Sequence, residues 1–400
     1  MKKFLTVLLV LVMLMGLVTM ASASEAGKLL IWCDETRAPV LEEAGKDFTA
    51  LYGVQVEVQE VGFGDIRGKL TTAAPVGEGA DLIIGPHDWI GELIENGLLE
   101  PISLFGELRS KFVPVSLEAF TYGGKLYGLP YATESVALFY NKDLVLEPPA
   151  TFEELITIAK GLTNREEGRY GFLIQTPDPY HLFPLLSATG GYIFGENPDG
   201  TTNPLDIGLA NEGAIRGANL LLRLIEEGIE VPGADYQTVT GLFNEGKLGM
   251  MIAGPWTLGG IKEAGINYGI TKIPTIDGQV AKPFVGVQGF MISAFSENKL
   301  LARTFLTEFI ATKDVMLKLY ERATRPPAFL PALEEVSTNP DIQGIAISAA
   351  DGIPMPKIPE MASVWGAWSD AIELIVNQKL EPDQAMKNAA EQIKKTIAGE

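Results

Sequence analysis

From Lys28 onward the chain alternates short apolar runs with longer amphipathic ones. KLLIWC predicts a strand, and a helical period follows from about Pro39 to Tyr52. VQVEVQEV then alternates at period two, and a second helical segment ends near Ala74. DLIIG, Asp81 to Gly85, is a continuous apolar run of strand length, and DWIGELIENG follows it as a helix. Repeated strand–helix units predict an open, mostly parallel α/β sheet. Ligands gather outside the carboxyl ends of such strands, which puts the segments after Trp32 and Gly85 on one rim.

A second region opens near Glu134. ESVALFYNKDLV predicts one further strand, and PPATFEELITIAKGL a helix with Thr151 as N-cap and Glu154 at the capping-box position. RYGFLIQ, Arg169 to Gln175, reads as a strand, and TPDPYHLFP as the loop after it. A long helix is predicted from about Asn211 to Glu227. The run Leu248 to Ala253, LGMMIA, is too short for a helix and predicts a buried strand. Gly254-Pro255 must end it, since proline has no N–H for a ladder. GFMISAF, Gly289 to Phe295, predicts a strand, with a helix after it to about Ala311 and helices over Val364 to Val376 and Pro382 to Ile397. Two α/β regions with no single linker between them predict two lobes joined by several hinge crossings around a cleft. The expected division is 24–133 with 290–335 for the N-terminal lobe and 134–285 with 341–400 for the C-terminal lobe.

Large aromatic residues stand on the turns of this pattern. Trp89 follows His87-Asp88 at a strand end, Tyr180 lies in PDPYHLF, Trp256 in AGPW, and Trp365 and Trp368 in MASVWGAW. Core packing is the ordinary fate of a tryptophan. Rings gathered at strand ends, with Asp88, Glu134 and Asp178 beside them, also suit a small-molecule site. For a sugar the division of labour is physical: the C–H faces of a pyranose lie on rings, while Asp, Glu and Arg take the hydroxyls.

Composition narrows the class of ligand. There are 31 basic and 51 acidic residues, a net charge of −20, which argues against nucleic acid or an anionic membrane as partner. Cys33 is the single cysteine, so no internal disulfide framework supports the cores. Lys2-Lys3, the apolar run Phe4 to Val18 and the small-residue site Ala21-Ser22-Ala23 match a secretory signal cleaved after Ala23. That run falls short of the roughly 20 apolar residues of a spanning helix, and no cysteine stands at the processing site. The expectation is a secreted, periplasmic or extracytoplasmic protein that is not integral to a membrane. The mature chain is too long for one core and long enough for two.

Catalytic patterns are scarce. His87 and His181 are the two histidines, and neither has a partner at metal-ligand spacing, so no metal site is expected. No G-x-S-x-G elbow and no P-loop occur. Acid pairs such as Glu42-Glu43 and Glu153-Glu154 point about 100° apart on a helix and read as solvated faces. No catalytic residue and no cofactor are expected.

In order along the chain, GKLLIW, the HD after DLIIG, YGGKLYGLPYATESVALFYNKDL, PYHLFPLLSATGGYIF, FNEGKLGMMIAGPW, NYGITKIPT, KPFVGV and IPMPKIPEMASVWGAW resemble the maltose/maltodextrin-binding proteins, the extracellular solute-binding components of ABC importers. The resemblance spans essentially the whole mature chain. It implies a two-lobed periplasmic-binding-protein fold that closes on maltose, maltotriose or a longer maltodextrin and delivers it to ABC permease subunits. It also implies hydroxyl-binding roles for Asp88 and Glu134, stacking roles for Tyr180, Trp256 and Trp365, and cleft positions for Asp178, Tyr236, Glu35 and Arg37. Asp178 stands where the family has a glutamate. Gly85 and Trp89 stand where the family has a tryptophan and an arginine, as if the ring had moved four residues along the loop. Ser369 replaces an arginine, and Trp368 is an extra ring beside Trp365. The alternatives are a binding protein for another oligosaccharide and a secreted glycan-active hydrolase.

Overall fold

The computed structural model describes residues 27–400; the segment read as a secretory signal lies outside them. The longer strands of the two main sheets are, in chain order, β1 (Lys28–Cys33), β2 (Gln55–Glu60), β3 (Leu82–Pro86), β4 (Gly128–Ser135), β5 (Ala137–Asn141), β6 (Tyr170–Ile174), β7 (Leu248–Ala253), β8 (Tyr268–Thr271) and β9 (Phe284–Ser293); two-residue strands at Leu99–Glu100 and Ile353–Pro354 also pair with β9. The N-terminal lobe orders them β9–β3–β1–β2, with β4 on the free edge of β9; the C-terminal lobe orders them β8–β5–β7–β6.

Both sheets are more mixed than the strand–helix alternation predicts. β1 runs parallel to β2 and β3, and β7 parallel to β6. β9 runs antiparallel to β3 and β4, and β5 antiparallel to β7 and β8. A helical crossover is what brings a chain back parallel to its last strand. β9 and β5 arrive from the other lobe without one. For the same reason ESVALFYNKDLV is two strands: β4 ends at Ser135, paired with Val285, and β5 begins at Ala137, paired with Ala253. Only Val136, fully buried, lies between the two sheets. A second crossing lies within β9, whose Phe284 packs in the C-terminal core and whose Val287 packs in the N-terminal one. A third joins the helix Leu330–Val336 to the helix Pro340–Ala349.

The helices that matter for the site are α1 (Ala38–Tyr52), α2 (Phe152–Leu162), α3 (Pro179–Ala188), α4 (Glu212–Glu226), α5 (Tyr236–Asn244), α6 (Lys313–Ala323) and α7 (Ala362–Val376). In α2 the capping box forms as the sequence predicts, Thr151 accepting from the Glu154 N–H at 3.2 Å and Glu154 accepting from the Thr151 N–H at 3.2 Å. From Pro179 onward the expected loop TPDPYHLFP is instead the first half of α3, with Asp178 as N-cap and Pro179 in its opening turn, where its missing N–H costs nothing.

Every residue of β7 is buried. Met250 and Ile252 face one core cluster and Met251 and Ala253 another, the period-two split of a strand covered on both faces. Each Met or Ile side chain here is worth about 1.5–3 kcal/mol when fully buried, so this strand anchors the turn that follows it. Cys33, at the end of β1, is also fully buried, and burial pushes its thiol up to about 12. Among the described residues no helix is long and apolar enough to cross a membrane.

Candidate ligand-binding cleft

Two strands end facing the space between the lobes, and each ends in the same way. β3 leads into a tight helical turn, His87–Trp89, and β7 into Pro255–Thr257. A Cβ on Gly85 would sit 2.3 Å from the Trp89 ring, and one on Gly254 2.1 Å from the Trp256 ring. Each indole thus folds back onto a strand end that only glycine can provide. The space over Gly85 is filled by the Trp89 ring.

Asp88, on the first turn, is buried, and its Oδ2 accepts from the Trp365 indole N–H of α7 at 3.0 Å. That hydrogen bond crosses from one lobe to the other. The second oxygen, Oδ1, is buried with no protein partner. Burial pushes the carboxyl up to about 6, against the pull of Trp365 and Arg67. Trp89 packs on Phe63, ring centroids 5.5 Å apart, beneath the Arg67 guanidinium. His87 spans the crossing: the Val287 N–H donates to its Nδ1 at 3.1 Å, which leaves the proton on Nε2, 3.1 Å from the Met355 carbonyl oxygen. Burial lowers its pKa to about 4, so the ring is neutral.

At the base of the cleft Glu134 is the last residue but one of β4. Its Oε1 accepts from Gln288 Nε2 at 2.7 Å and its Oε2 from Arg325 Nε at 2.5 Å. The Arg325 guanidinium carbon also lies 5.3 Å from the Trp256 ring centroid. Burial works against the charge of Arg325, but Glu134 outweighs it and raises the pKa. Tyr180, on the first turn of α3, stands 6.0 Å from Trp256 and stacks on Phe284 at 6.0 Å and 29°; His181 meets Trp256 edge-on at 5.7 Å. Asp178 is occupied as the cap. Its Oδ1 accepts from the N–H groups of Tyr180 and His181, and its Oδ2 from Gln175 Nε2 at 2.7 Å. Burial opposes its charge, yet His181 and these donors bring the carboxyl below its ordinary range. Asp178 aims Tyr180 and keeps no free oxygen for a ligand.

On the facing rim, after β1, Arg37 is fully buried. It pairs with Asp34 and donates from Nε to the Tyr131 hydroxyl at 2.6 Å. Its guanidinium carbon lies 5.5 Å from both the Phe63 and Tyr131 rings, and its Nη2 has no partner. Glu35 is exposed. Tyr236, in the opening turn of α5, is 36% exposed, and partial burial raises the pKa of its hydroxyl against the pull of Arg325.

One expected site residue does not face the cleft. Trp368 is 2% exposed and packs edge-on against Phe183 at 6.5 Å, beside a cavity of about 20 Å³ lined by Leu182, Leu221 and Met386. Three residues after Trp365 is about 4.5 Å farther along the helix axis, past the rim and into the C-terminal core. Conversely, Arg325, Tyr131, Asp34 and Phe63 touch expected site residues without having been expected: Arg325 meets Glu134 and Trp256, and the other three meet Arg37. A charged residue between Thr324 and two prolines, in ATRPPA, was the available signal for Arg325. Among the described residues no group of three or more His, Cys, Asp or Glu side chains could hold a metal ion.

The chain matches the family model for bacterial extracellular solute-binding proteins over residues 43–349. A galactooligosaccharide-binding protein of Bacillus subtilis is 33% identical over 389 residues, covering 94% of this chain and 91% of that protein. A maltotriose-binding protein of Pyrococcus abyssi is 33% identical over 391 residues, covering 94% of this chain and 83% of that one. The solved structure of a Thermus thermophilus maltotriose-binding protein bound with maltotriose superposes with a TM-score of 0.86 at 34% identity, covering 92% of this chain and all of that one. Match length, identity and fold agree, and the chain belongs to the bacterial extracellular solute-binding protein family.

Proposed function

We propose that this protein captures maltotriose or a related maltodextrin between its lobes, without chemical change, and presents it outside the cytoplasm to the permease of an ABC importer. The observation that carries this reading is Asp88. A buried carboxylate oxygen without a partner costs free energy unless a ligand supplies a donor. Asp88 Oδ1 is such an oxygen, beside the Trp365 ring. A sugar hydroxyl satisfies it while the pyranose face lies on Trp365 or Trp256. Arg37 Nη2 offers a matching unpaired donor on the same rim, since β1 and β3 run parallel and end side by side. Glu134, Tyr180, Trp89, Glu35 and Tyr236 complete the proposed lining. The closing bodies are 24–133 with 290–335 and 134–285 with 341–400, and the closed form is favoured by its differential contacts with the sugar.

The named relatives support sugar as the ligand class, and two of the three carry maltotriose in their names. The Bacillus subtilis relative, named for galactooligosaccharides, gives the second reading its specific support. A thermal-shift series with maltose, maltotriose, longer maltodextrins and galactooligosaccharides separates the two. Bound ligand raises the midpoint by mass action. The proposal expects a rise with maltodextrins and intact sugar afterwards. A rise only with galactooligosaccharides moves the substrate, and cleaved sugar overturns the binding-protein reading.

A further inference from the structure

Between α6 and the helix Leu330–Val336 runs a short strap, Thr324 to Ala328. It is tied to the N-terminal lobe by its backbone: the Thr133 N–H donates to the Pro326 carbonyl at 2.8 Å, the Ala328 N–H to Tyr131 at 2.8 Å, and the Val113 N–H to Ala328 at 2.9 Å. Its first two side chains reach the other way. The Thr324 hydroxyl donates to the Pro255 carbonyl oxygen, and the Arg325 guanidinium covers the Trp256 ring. Pro255 and Trp256 form the turn after β7, in the C-terminal lobe.

Thr324 carries a further mark. Its φ is +56°, a left-handed conformation that a β-branched residue keeps only where its surroundings hold it. Its own N–H caps α6 by donating to the Tyr320 carbonyl at 2.7 Å, and its side chain is buried against the opposite lobe. Arg325 is placed just as firmly: only 11% of its side chain is exposed, its Nε is on Glu134, and its Nη1 lies 3.4 Å from the Ala323 carbonyl.

We infer that Thr324 and Arg325 form a closure latch, in which an N-terminal-lobe strap holds the Gly-Pro-Trp turn of the C-terminal lobe and in the same movement fixes the orientation of Glu134. Both are positioning residues, and the inference rests on the capture reading above. A latch of this kind acts after the sugar has entered. It slows release and leaves the encounter almost untouched, because its contacts exist only once the lobes meet.

The test uses the full-length mature protein, rapid mixing with maltotriose, and small-angle scattering without sugar. Thr324→Val keeps the β-branch and removes only the donor; Thr324→Ser keeps the donor; Arg325→Lys keeps the charge and loses the planar face. The latch expects Thr324→Val and Arg325→Lys to release maltotriose roughly three- to tenfold faster, from the loss of about one hydrogen bond or stacked contact each, with association within about twofold of wild type. Thr324→Ser should restore the wild-type release rate. Unchanged release in both variants overturns the latch. If Arg325→Lys does not fold, Thr324→Val decides alone. If wild-type protein binds no maltotriose, the sugar reading fails and scattering decides the latch: a larger radius of gyration in Thr324→Val supports it, and an identical one overturns it.

Discussion

What lies beside each ring separates the five tryptophans more sharply than their neighbours in sequence do. Trp256 and Trp365 are partly exposed with polar or charged partners on one side, whereas Trp368 is enclosed by apolar side chains. Trp256→Ala should therefore weaken maltodextrin binding by about 1–3 kcal/mol in titration calorimetry, the scale of a buried aromatic face. Trp368→Ala should leave that affinity nearly unchanged while lowering unfolding stability by about 3–5 kcal/mol through a core cavity; the reverse pattern would exchange the two assignments. Asp88 adds a pH signature. Its pKa of about 6, against an ordinary 3.8, means that the folded protein holds the proton more tightly. Its contribution to folding is complete below pH 3.8 and is lost as the pH rises through 6. Binding carries the opposite sign, since sugar O–H donors favour the ionised carboxylate. Affinity should rise as the pH passes through about 6, and Asp88→Asn should flatten that rise.

Glu230 shows the same logic at the level of elements. It follows α4, is wholly buried, and its carboxyl accepts from the Ile174 N–H of β6 at 2.8 Å and the Val231 N–H at 3.0 Å. Burial raises its pKa from 4.5 to about 8. The stability it contributes is complete below pH 4.5 and lost as the pH rises through 8, so Glu230→Gln should flatten the decline of the melting midpoint over that range; a parallel decline in the variant would place the titration elsewhere. Elements governed by local rules were legible in the sequence. The capping box of α2, the six residues of β7 and the span of α4 all follow from patterns within a few residues. What escaped was decided by contacts distant in sequence. Val136 carries no mark that a strand changes sheets there, because either sheet suits a β-branched residue. The first turn of α3 hides behind two prolines that read as a loop. Trp368 and Trp365 differ only by which neighbouring helix packs against each, and Arg325 meets Glu134 across 191 residues of chain.

For the whole molecule, three crossings set how the lobes can move, and two of them pass through β4–β5 and β9. Hinges made of paired strands bend with their ladder hydrogen bonds intact, so closure is expected as a rotation of two rigid bodies. His87, held between Val287 and Met355, ties the turn after β3 to the crossing strand β9, and the Trp365–Asp88 bond ties the same turn to α7. The solitary thiol bears on how such a rotation could be watched. Cys33 is fully buried with its pKa near 12, and thiolate is the reactive form. A maleimide or disulfide reagent should leave the native protein unmodified and take up one equivalent once it is unfolded. A cysteine introduced at exposed Gln237, one residue past Tyr236, would then be the sole site for a fluorophore, and the protein would serve as an optical sugar gauge with no background label to subtract.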